Sequence, residues 1–224
     1  MSIHWSGSHS SKILLSLVSV LLFSVLLAGM YYLIQPAGTI LDSGWKLEKD
    51  GAVKQVDLLD LQEERQYALH TYRVNFKEVD ANILVIPRPS ANAIQIVLNG
   101  QQIYAVGDLK QPSANLWNIW HIVPLADGLL QDDNYLEITI SRNYTMGLKH
   151  APFLARSQDV YWRFSMINWF SNELILIAMG AAIMIGILLI LLSLTRKKHL
   201  NPEIFMGLAA IFSAIYCLDY IYIP

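Results

Sequence analysis

The fold of this chain is decided by the stretch IQIVLNGQQIYAV, which runs from Ile94 to Val106. Two short apolar runs flank Asn99-Gly100, and both residues of this pair tolerate the positive φ angles that a type I′ turn requires. An Asn-Gly pair between two such runs is the strongest short-range signal of a β-hairpin. The stretch therefore predicts two adjacent antiparallel strands.

Further strand signals lie on both sides of this hairpin at short intervals. Most of them alternate apolar and polar residues, which is typical of a strand with one buried face. No sustained 3.6-residue period is found in the region, so we expect six to eight short strands in an antiparallel β-sandwich or jelly roll. The predicted strands outside the hairpin are Tyr67 to Phe76, Ile83 to Ile86, Leu116 to Val123, Tyr135 to Ile140 and Val160 to Phe164.

Three apolar segments enclose or follow this region, and they explain a composition that is 54% hydrophobic and 15% charged. About 20 apolar helical residues cross a hydrocarbon core of roughly 30 Å. We therefore expect transmembrane helices at residues 13–34, 171–194 and 203–223. A cleaved signal peptide is the alternative for the first segment, but its apolar core exceeds the roughly 7–15 residues usual there, which favours an uncleaved anchor.

The basic residues predict how these helices are oriented. Outside the central region, Lys and Arg occur at Lys12 and in the run from Arg196 to Lys198. Loops that carry positive charge tend to stay in the cytoplasm, and two spans separate these two groups. We therefore expect residues 1–12 and 195–202 in the cytoplasm and the β domain, residues 36–168, in the periplasm or outside the cell. Because the chain ends so close to the third span, we also expect the native protein to continue beyond Pro224.

Two details of the apolar segments bear on helix contacts. Ala178, Ala182 and Gly186 are four residues apart and share one helical face, which would allow another helix, including one of a homodimer, to approach closely. Asp219 interrupts the third segment. It lies about 24 Å along a helix that begins at Glu203, so we expect it near the outer membrane surface.

Several functional classes are disfavoured by the sequence. A net charge of -2 provides no basic field for nucleic acid. The single cysteine, Cys217, cannot form an internal disulfide, and the scattered histidines predict no metal site. Asp132 and Asp133 are adjacent on a loop rather than facing each other across a bond, as glycoside hydrolysis requires. We expect neither a cofactor nor catalysis in this chain.

A group of aromatic and amide side chains is the candidate ligand site. Sugars are commonly held by an aromatic face while amides and charged groups bond their hydroxyls. In a strand, however, Trp117 and Trp120 would face opposite sides, so at least one of them should lie in the core. The candidates are Trp117, Asn118, Trp120, His121, Asn143 and Tyr144, together with Arg88 between two prolines.

Four stretches resemble a known family: Trp45-Lys46-Leu47, the strand ending at Phe76, Ile94 to Gly100, and Asp132 to Ile140. Together they resemble the galactose-binding-like jelly rolls of glycoside hydrolases and of bacterial receptors. With its flanking helices, the chain resembles the N-terminal part of bacterial seven-transmembrane receptors with diverse intracellular signalling modules. The resemblance implies a bacterial inner-membrane location, further spans, and an effector such as a diguanylate cyclase or histidine kinase, which this chain does not contain.

Three functions follow as hypotheses. The first is a ligand-sensing input module of a bacterial receptor, with a small molecule or carbohydrate as its ligand. The second is an envelope binding or assembly subunit without a signalling role. The third is a carbohydrate-active envelope enzyme, which the missing acid pair disfavours.

Overall fold

The computed structural model describes residues 9–57, 67–111, 114–142, 145–195 and 202–221. Its strands are β1 (Thr39–Ile40), β2 (Lys46–Lys49), β3 (Ala52–Gln55), β4 (Ala68–Lys77), β5 (Ile83–Pro87), β6 (Ala93–Leu98), β7 (Gln101–Val106), β8 (Trp120–Pro124), β9 (Asp133–Arg142) and β10 (Phe153–Ala155). Its α-helices are α1 (His9–Ile34), α2 (Ser157–Asn168), α3 (Leu174–Leu194) and α4 (Pro202–Tyr216). A π-helical turn, Trp169–Glu173, joins α2 to α3, and a 3-10 turn, Cys217–Tyr220, follows α4.

The strands form two antiparallel sheets that share one core. One sheet has the order β1-β10-β5-β8 and the other the order β3-β2-β4-β9-β6-β7. Leu136, Ile138 and Ile140 alternate along β9 with more exposed residues and are fully buried, and the same core contains Leu84 and Ile86 of β5. The predicted antiparallel β domain is therefore confirmed at the level of two packed sheets.

The hairpin predicted from the sequence is present as β6 and β7. Asn99 and Gly100 both have positive φ angles, 51° and 83°, as a type I′ turn requires. The Asn99 side chain also fixes the turn to the neighbouring loop, since its Nδ2 donates to the Leu129 oxygen at 2.8 Å and to Asn134 Oδ1 at 2.9 Å. The turn is thus held by both its backbone geometry and its side chain.

Gly107, which directly follows β7, is expected to be sensitive to the addition of a single methyl group. Its φ is +73°, and a Cβ there would lie 2.8 Å from the Asn92 oxygen. We expect Gly107→Ala to lower the free energy of unfolding by about 2 kcal/mol, through backbone strain and overpacking. Gly51→Ala is the matched control, because Gly51 has φ +78° but open space around it. Equal shifts of the thermal midpoint in the two variants would contradict the steric explanation.

Two strand predictions are corrected by the structure. Val160 to Phe164 lies in helix α2, and β8 begins only at Trp120, after a turn that contains Trp117. Residues four apart share a face in a strand and in a helix, so Val160 and Phe164 fit both patterns. Ile167 distinguishes the helix from the strand, because it is buried and extends the helical face by a further turn.

Helix α2 packs on the outer face of the four-stranded sheet. The Phe164 ring stacks on the Trp120 ring with centroids 4.5 Å apart, and it also contacts Phe153 at 5.4 Å. Val160, Arg163 and Ile167 are the other buried residues of this helix. This packing accounts for the continuous apolar run in β5, because every residue of that strand is buried.

Among the described residues, three helical segments are long and apolar enough to cross a membrane: Ile13–Ile34, Ser157–Leu194 and Pro202–Tyr220. The second is a continuous helical stretch formed by α2, the π-helical turn and α3. The third packs against α3, and the two backbones lie close together where Gly186 meets Gly207. Considered by itself, α1 exposes its apolar side chains from Ile13 onward.

Candidate functional site at the junction of sheets and helices

The turn before β8 connects the β domain to the apolar helices α3 and α4. Asn118 is 7% exposed, and its Nδ2 donates to two main-chain oxygens, those of Ser171 and Tyr220. Ser171 belongs to the π-helical turn before α3, and Tyr220 to the 3-10 turn after α4. One amide group therefore contacts the ends of two antiparallel helices, and we call this region the junction.

Arg88 contacts the junction from the neighbouring loop. Its Nη2 donates to Ser171 Oγ at 2.9 Å, and its main-chain N–H donates to the Ile119 oxygen at 3.2 Å. The residue has φ +40°, a conformation that is rare for residues with a side chain and is disfavoured further by the following Pro89. The surrounding contacts hold Arg88 in this strained conformation, with its guanidinium directed at the π-helical turn.

The ring of Trp117 packs at the same junction. Its centroid is 5.3 Å from that of Tyr220, in an edge-on arrangement, and Lys149 Nζ lies 5.6 Å above it. Asn115 adds another link, since its Nδ2 donates to the Asp219 oxygen at 2.7 Å. Asp219 thus lies beside the β domain, in the 3-10 turn that follows α4. Its location near the outer membrane surface stays a prediction.

Trp120 and Asn168 join strand β8 to helix α2. Asn168 Oδ1 accepts from the Trp120 main-chain N–H at 2.7 Å, and Asn168 Nδ2 donates to the Trp120 oxygen at 2.8 Å. The side-chain amide thus pairs with the edge of β8 as a neighbouring strand would. Asn168 was not predicted from the sequence. The signal that could have identified it is a single amide side chain within an apolar helical face.

His121 faces the interior rather than the junction. Its Nδ1 lies 2.9 Å from the Tyr104 hydroxyl, and its Nε2 lies 3.4 Å from the Leu116 oxygen. Burial lowers the pKa of His121 from 6.5 to about 4, although the hydrogen bond to Leu116 opposes this shift. The imidazole is therefore neutral in the folded protein near neutral pH.

This low pKa predicts how stability depends on pH. Between pH 6.5 and about 4 the unfolded chain protonates His121 and the folded chain does not, so stability falls as the pH falls through this range. We expect a loss of about 2 kcal/mol between pH 6.5 and pH 5 from this group. The check compares thermal unfolding of the wild type and His121→Gln at each pH. Identical pH dependence in the two proteins would contradict the prediction.

A groove of about 440 Å³ lies between β8 and the α2 side of the long helix. Such a volume is within the usual range for small-ligand sites. Its aromatic surface comes from Tyr104, Trp120, Tyr161 and Trp169, and its polar groups come from Ser165, Asn168 and Glu173.

The predicted site residues are divided between two places. The groove is lined by Trp120 and His121, whereas the junction contains Trp117, Asn118 and Arg88. Asn143 and Tyr144 lie outside the described residues.

Other predicted features have ordinary structural surroundings. Asp133 forms an exposed ion pair with Lys77, with Nζ and Oδ1 2.5 Å apart. Within the described ranges, no group of three or more His, Cys, Asp or Glu side chains is placed to hold a metal ion. Of the small residues on α3, Gly186 packs against α4, whereas Ala178 is exposed.

Comparison with known proteins identifies no family. No protein-family model matches the chain, and no curated protein sequence matches it. Similar solved structures include the FMN-binding beta-glucuronidase from Facaelibacterium prausnitzii L2-6, with 18% identity and a TM-score of 0.39 over 52% of this chain. They also include the beta-D-mannosidase from Dictyoglomus thermophilum, with 15% identity and a TM-score of 0.37 over 47% of this chain. The chain covers 22% and 16% of the length of these two proteins.

The class of this protein therefore rests on its own architecture. It is a mainly β domain of two antiparallel sheets, joined directly to apolar helices that are long enough to cross a membrane. The resemblance to seven-transmembrane receptors is not confirmed by a matching family model.

Proposed function

We propose that this chain is the extracytoplasmic ligand-sensing input module of a bacterial signal-transduction receptor, with a galactose-binding-like jelly roll as its sensor domain. The observation that carries the proposal is the junction, where one buried amide of the β domain bonds to the ends of two apolar helices. A change in the position of Asn118 acts on α3 and α4 together. Such a shared contact is what a receptor needs if a ligand is to favour one helix arrangement over another.

The groove provides the binding surface in this proposal, and a carbohydrate is the ligand class that its chemistry fits. Tyr161 and Trp169 are about half exposed and offer aromatic faces, while Asn168 and Glu173 offer an amide and a carboxylate for hydroxyl groups. Asn168 also bonds to both the N–H and the oxygen of Trp120, so a ligand that moves Asn168 moves β8 relative to α2. The module would bind its ligand without catalysis.

Homodimerisation through the membrane helices is part of the same proposal. The apolar side chains of α1 are exposed along its length, and α3 and α4 each leave most of their surface uncovered by the other. Helices of this kind associate in lipid through close packing. The inner membrane of a bacterium, with the β domain on its outer side, is the proposed location.

The test measures binding and transmission separately on the full chain in detergent. Tryptophan fluorescence would follow binding of a panel of glucose, galactose, mannose and N-acetylglucosamine oligosaccharides. The labelling rate of Cys217, the single cysteine, would report the end of α4. We expect at least one sugar to bind and to change the labelling rate, and Tyr161→Ala to abolish both effects.

Each contrary outcome would remove a different part of the proposal. A sugar that binds the groove while leaving Cys217 labelling unchanged would contradict transmission and favour a binding or assembly subunit. Failure of every sugar in the panel to bind would contradict the carbohydrate class. Lys54→Gln, on the exposed strand β3, is the control for nonspecific effects of substitution.

A further inference from the structure

Three basic side chains lie together at the helix-facing end of the β domain. Arg88 donates to Ser171 Oγ at 2.9 Å, and Arg142 Nη1 donates to Ser90 Oγ at 2.6 Å. Burial lowers the pKa of Arg88, of Arg142 and of Lys149, and the charges of Arg142 and Arg88 lower the pKa of Lys149 further. The charges of Arg88 and Arg142 are therefore close enough to repel that of Lys149. We call them the basic cluster.

The basic cluster differs from Arg73, another arginine of the β domain, in the carboxylates around it. Arg73 lies between Glu48 and Glu137, and the pKa of Arg73 is raised, chiefly by its hydrogen bond to Glu137. By contrast, no carboxylate in the described part of the chain forms an ion pair with the basic cluster. Asp219 is the acid whose charge acts on Arg142, and it forms no ion pair with that side chain within the described residues.

The cluster also retains unused hydrogen-bonding capacity. Nε of Arg88 is buried and has no hydrogen-bond partner among the described residues. Lys149 directs its ammonium group over the Trp117 ring, which fixes its position without neutralising its charge. Partly buried cations are costly unless an anion compensates them, so the arrangement favours an external anionic ligand.

The position of the cluster indicates where that anion comes from. Helix α3 has 21 residues and spans about 31 Å, close to the hydrocarbon thickness of a bilayer. Ser171, which Arg88 contacts, lies three residues before α3, or about 4.5 Å beyond the hydrocarbon. Trp169 and Phe170 are about half exposed at the same level, as is typical of side chains at the lipid–water boundary.

We propose that Arg88, Arg142 and Lys149 form a binding site for a phosphate group, supplied by the headgroup of an anionic phospholipid beside α3 and α4. Arginine binds phosphate oxygens through paired N–H donors, and lysine adds a point charge. A bound headgroup neutralises the basic cluster and contacts Ser171 through Arg88. Lipid binding thereby stabilises the junction, independently of any ligand in the groove.

The experiment uses the full chain in a neutral detergent, with phosphatidylglycerol, phosphatidylcholine or inorganic phosphate added. We expect saturating phosphatidylglycerol to raise the thermal midpoint by about 5 °C and phosphatidylcholine to have a much smaller effect. Arg142→Gln combined with Lys149→Gln is expected to weaken phosphatidylglycerol binding at least tenfold. Lys149→Gln alone, which changes a half-buried side chain, is expected to give part of this loss and guards against misfolding of the double variant.

A matched control separates a site from general attraction between charges. Lys54→Gln combined with Lys110→Gln removes the same charge from exposed positions and is expected to leave binding unchanged. Equal stabilisation by the two lipids, or equal losses in the two double variants, would overturn the proposal. Stabilisation by inorganic phosphate alone, at the level reached with phosphatidylglycerol, would overturn the lipid source and assign the site to a soluble phosphate compound.

Discussion

Replacing Gly207 by leucine is expected to separate α4 from α3 and to lower the stability of the helix pair by about 3 kcal/mol or more. A Cβ at Gly207 would lie 2.6 Å from the Gly186 oxygen and 2.8 Å from Ile190. A Cβ at Gly186 would lie 2.7 Å from the Gly207 oxygen. Since both contacts involve backbone atoms, the helices themselves must move, and most of the dispersion contacts along the interface are lost.

Gly180→Leu is the matched control for this prediction. Gly180 lies on α3, the other helix of the pair, but a Cβ added there meets nothing within 4 Å. The difference between the two variants therefore isolates the helix contact from the intrinsic preference of leucine for helices. Far-UV circular dichroism during an SDS titration would measure it. If Gly207→Leu unfolds at the same SDS fraction as Gly180→Leu, the close contact contributes nothing to stability.

Replacing Asn118 by alanine is expected to detach the β domain from the helix ends while both parts stay folded. The change removes two hydrogen bonds to main-chain oxygens at a position that is 7% exposed. Lost bonds and poorly solvated carbonyl groups together cost about 2–4 kcal/mol. We expect the loss to be confined to the π-helical turn and the 3-10 turn, because the sheet hydrogen bonds do not involve Asn118.

Cys217 provides the measurement, since it is the single cysteine and lies in the 3-10 turn that Asn118 contacts. We expect Asn118→Ala to raise its rate of maleimide labelling by more than tenfold, while amide hydrogen exchange in β4 and β9 is unchanged. Asn75→Ala, an exposed position on β4, is the control. An unchanged labelling rate would show that the junction does not hold the end of α4, and the proposed transmission would lose its physical basis.

The parts of the fold that could be predicted from the sequence are those specified by local residues. Asn99-Gly100 specifies its turn through backbone preferences alone, and the alternation along β9 specifies which face is buried. The apolar segments are recognisable because lipid imposes the same requirement on every residue of a span. Helix α2 was not predicted, because the spacing of Val160 and Phe164 fits both the two-residue period of a strand and the 3.6-residue period of a helix.

The junction could not be predicted, because its partners are remote in sequence. Asn118 bonds to Ser171 and Tyr220, which are 53 and 102 residues away. The same aromatic and amide side chains suit a sugar and suit the packing of a β domain on helices, and composition cannot distinguish the two uses. Whether Trp117, Asn118 and Arg88 also contact a ligand stays a prediction. Because these three residues lie at the junction, a ligand bound to them would contact the helices directly.

Helix α2 has a consequence for how this protein could be divided or recombined. Its apolar face covers Trp120 and Phe153, which belong to strands on either side of β5. A fragment cut before Ser157 would leave both rings open to water and would be prone to aggregate. A chimaera in which only the apolar segment after α2 is exchanged would keep α2. It would change the residues that follow Asn168, which form the π-helical turn. The smallest transferable unit is therefore the two sheets with α2 and the π-helical turn, and gene fusions made within α3 are the ones expected to yield folded products.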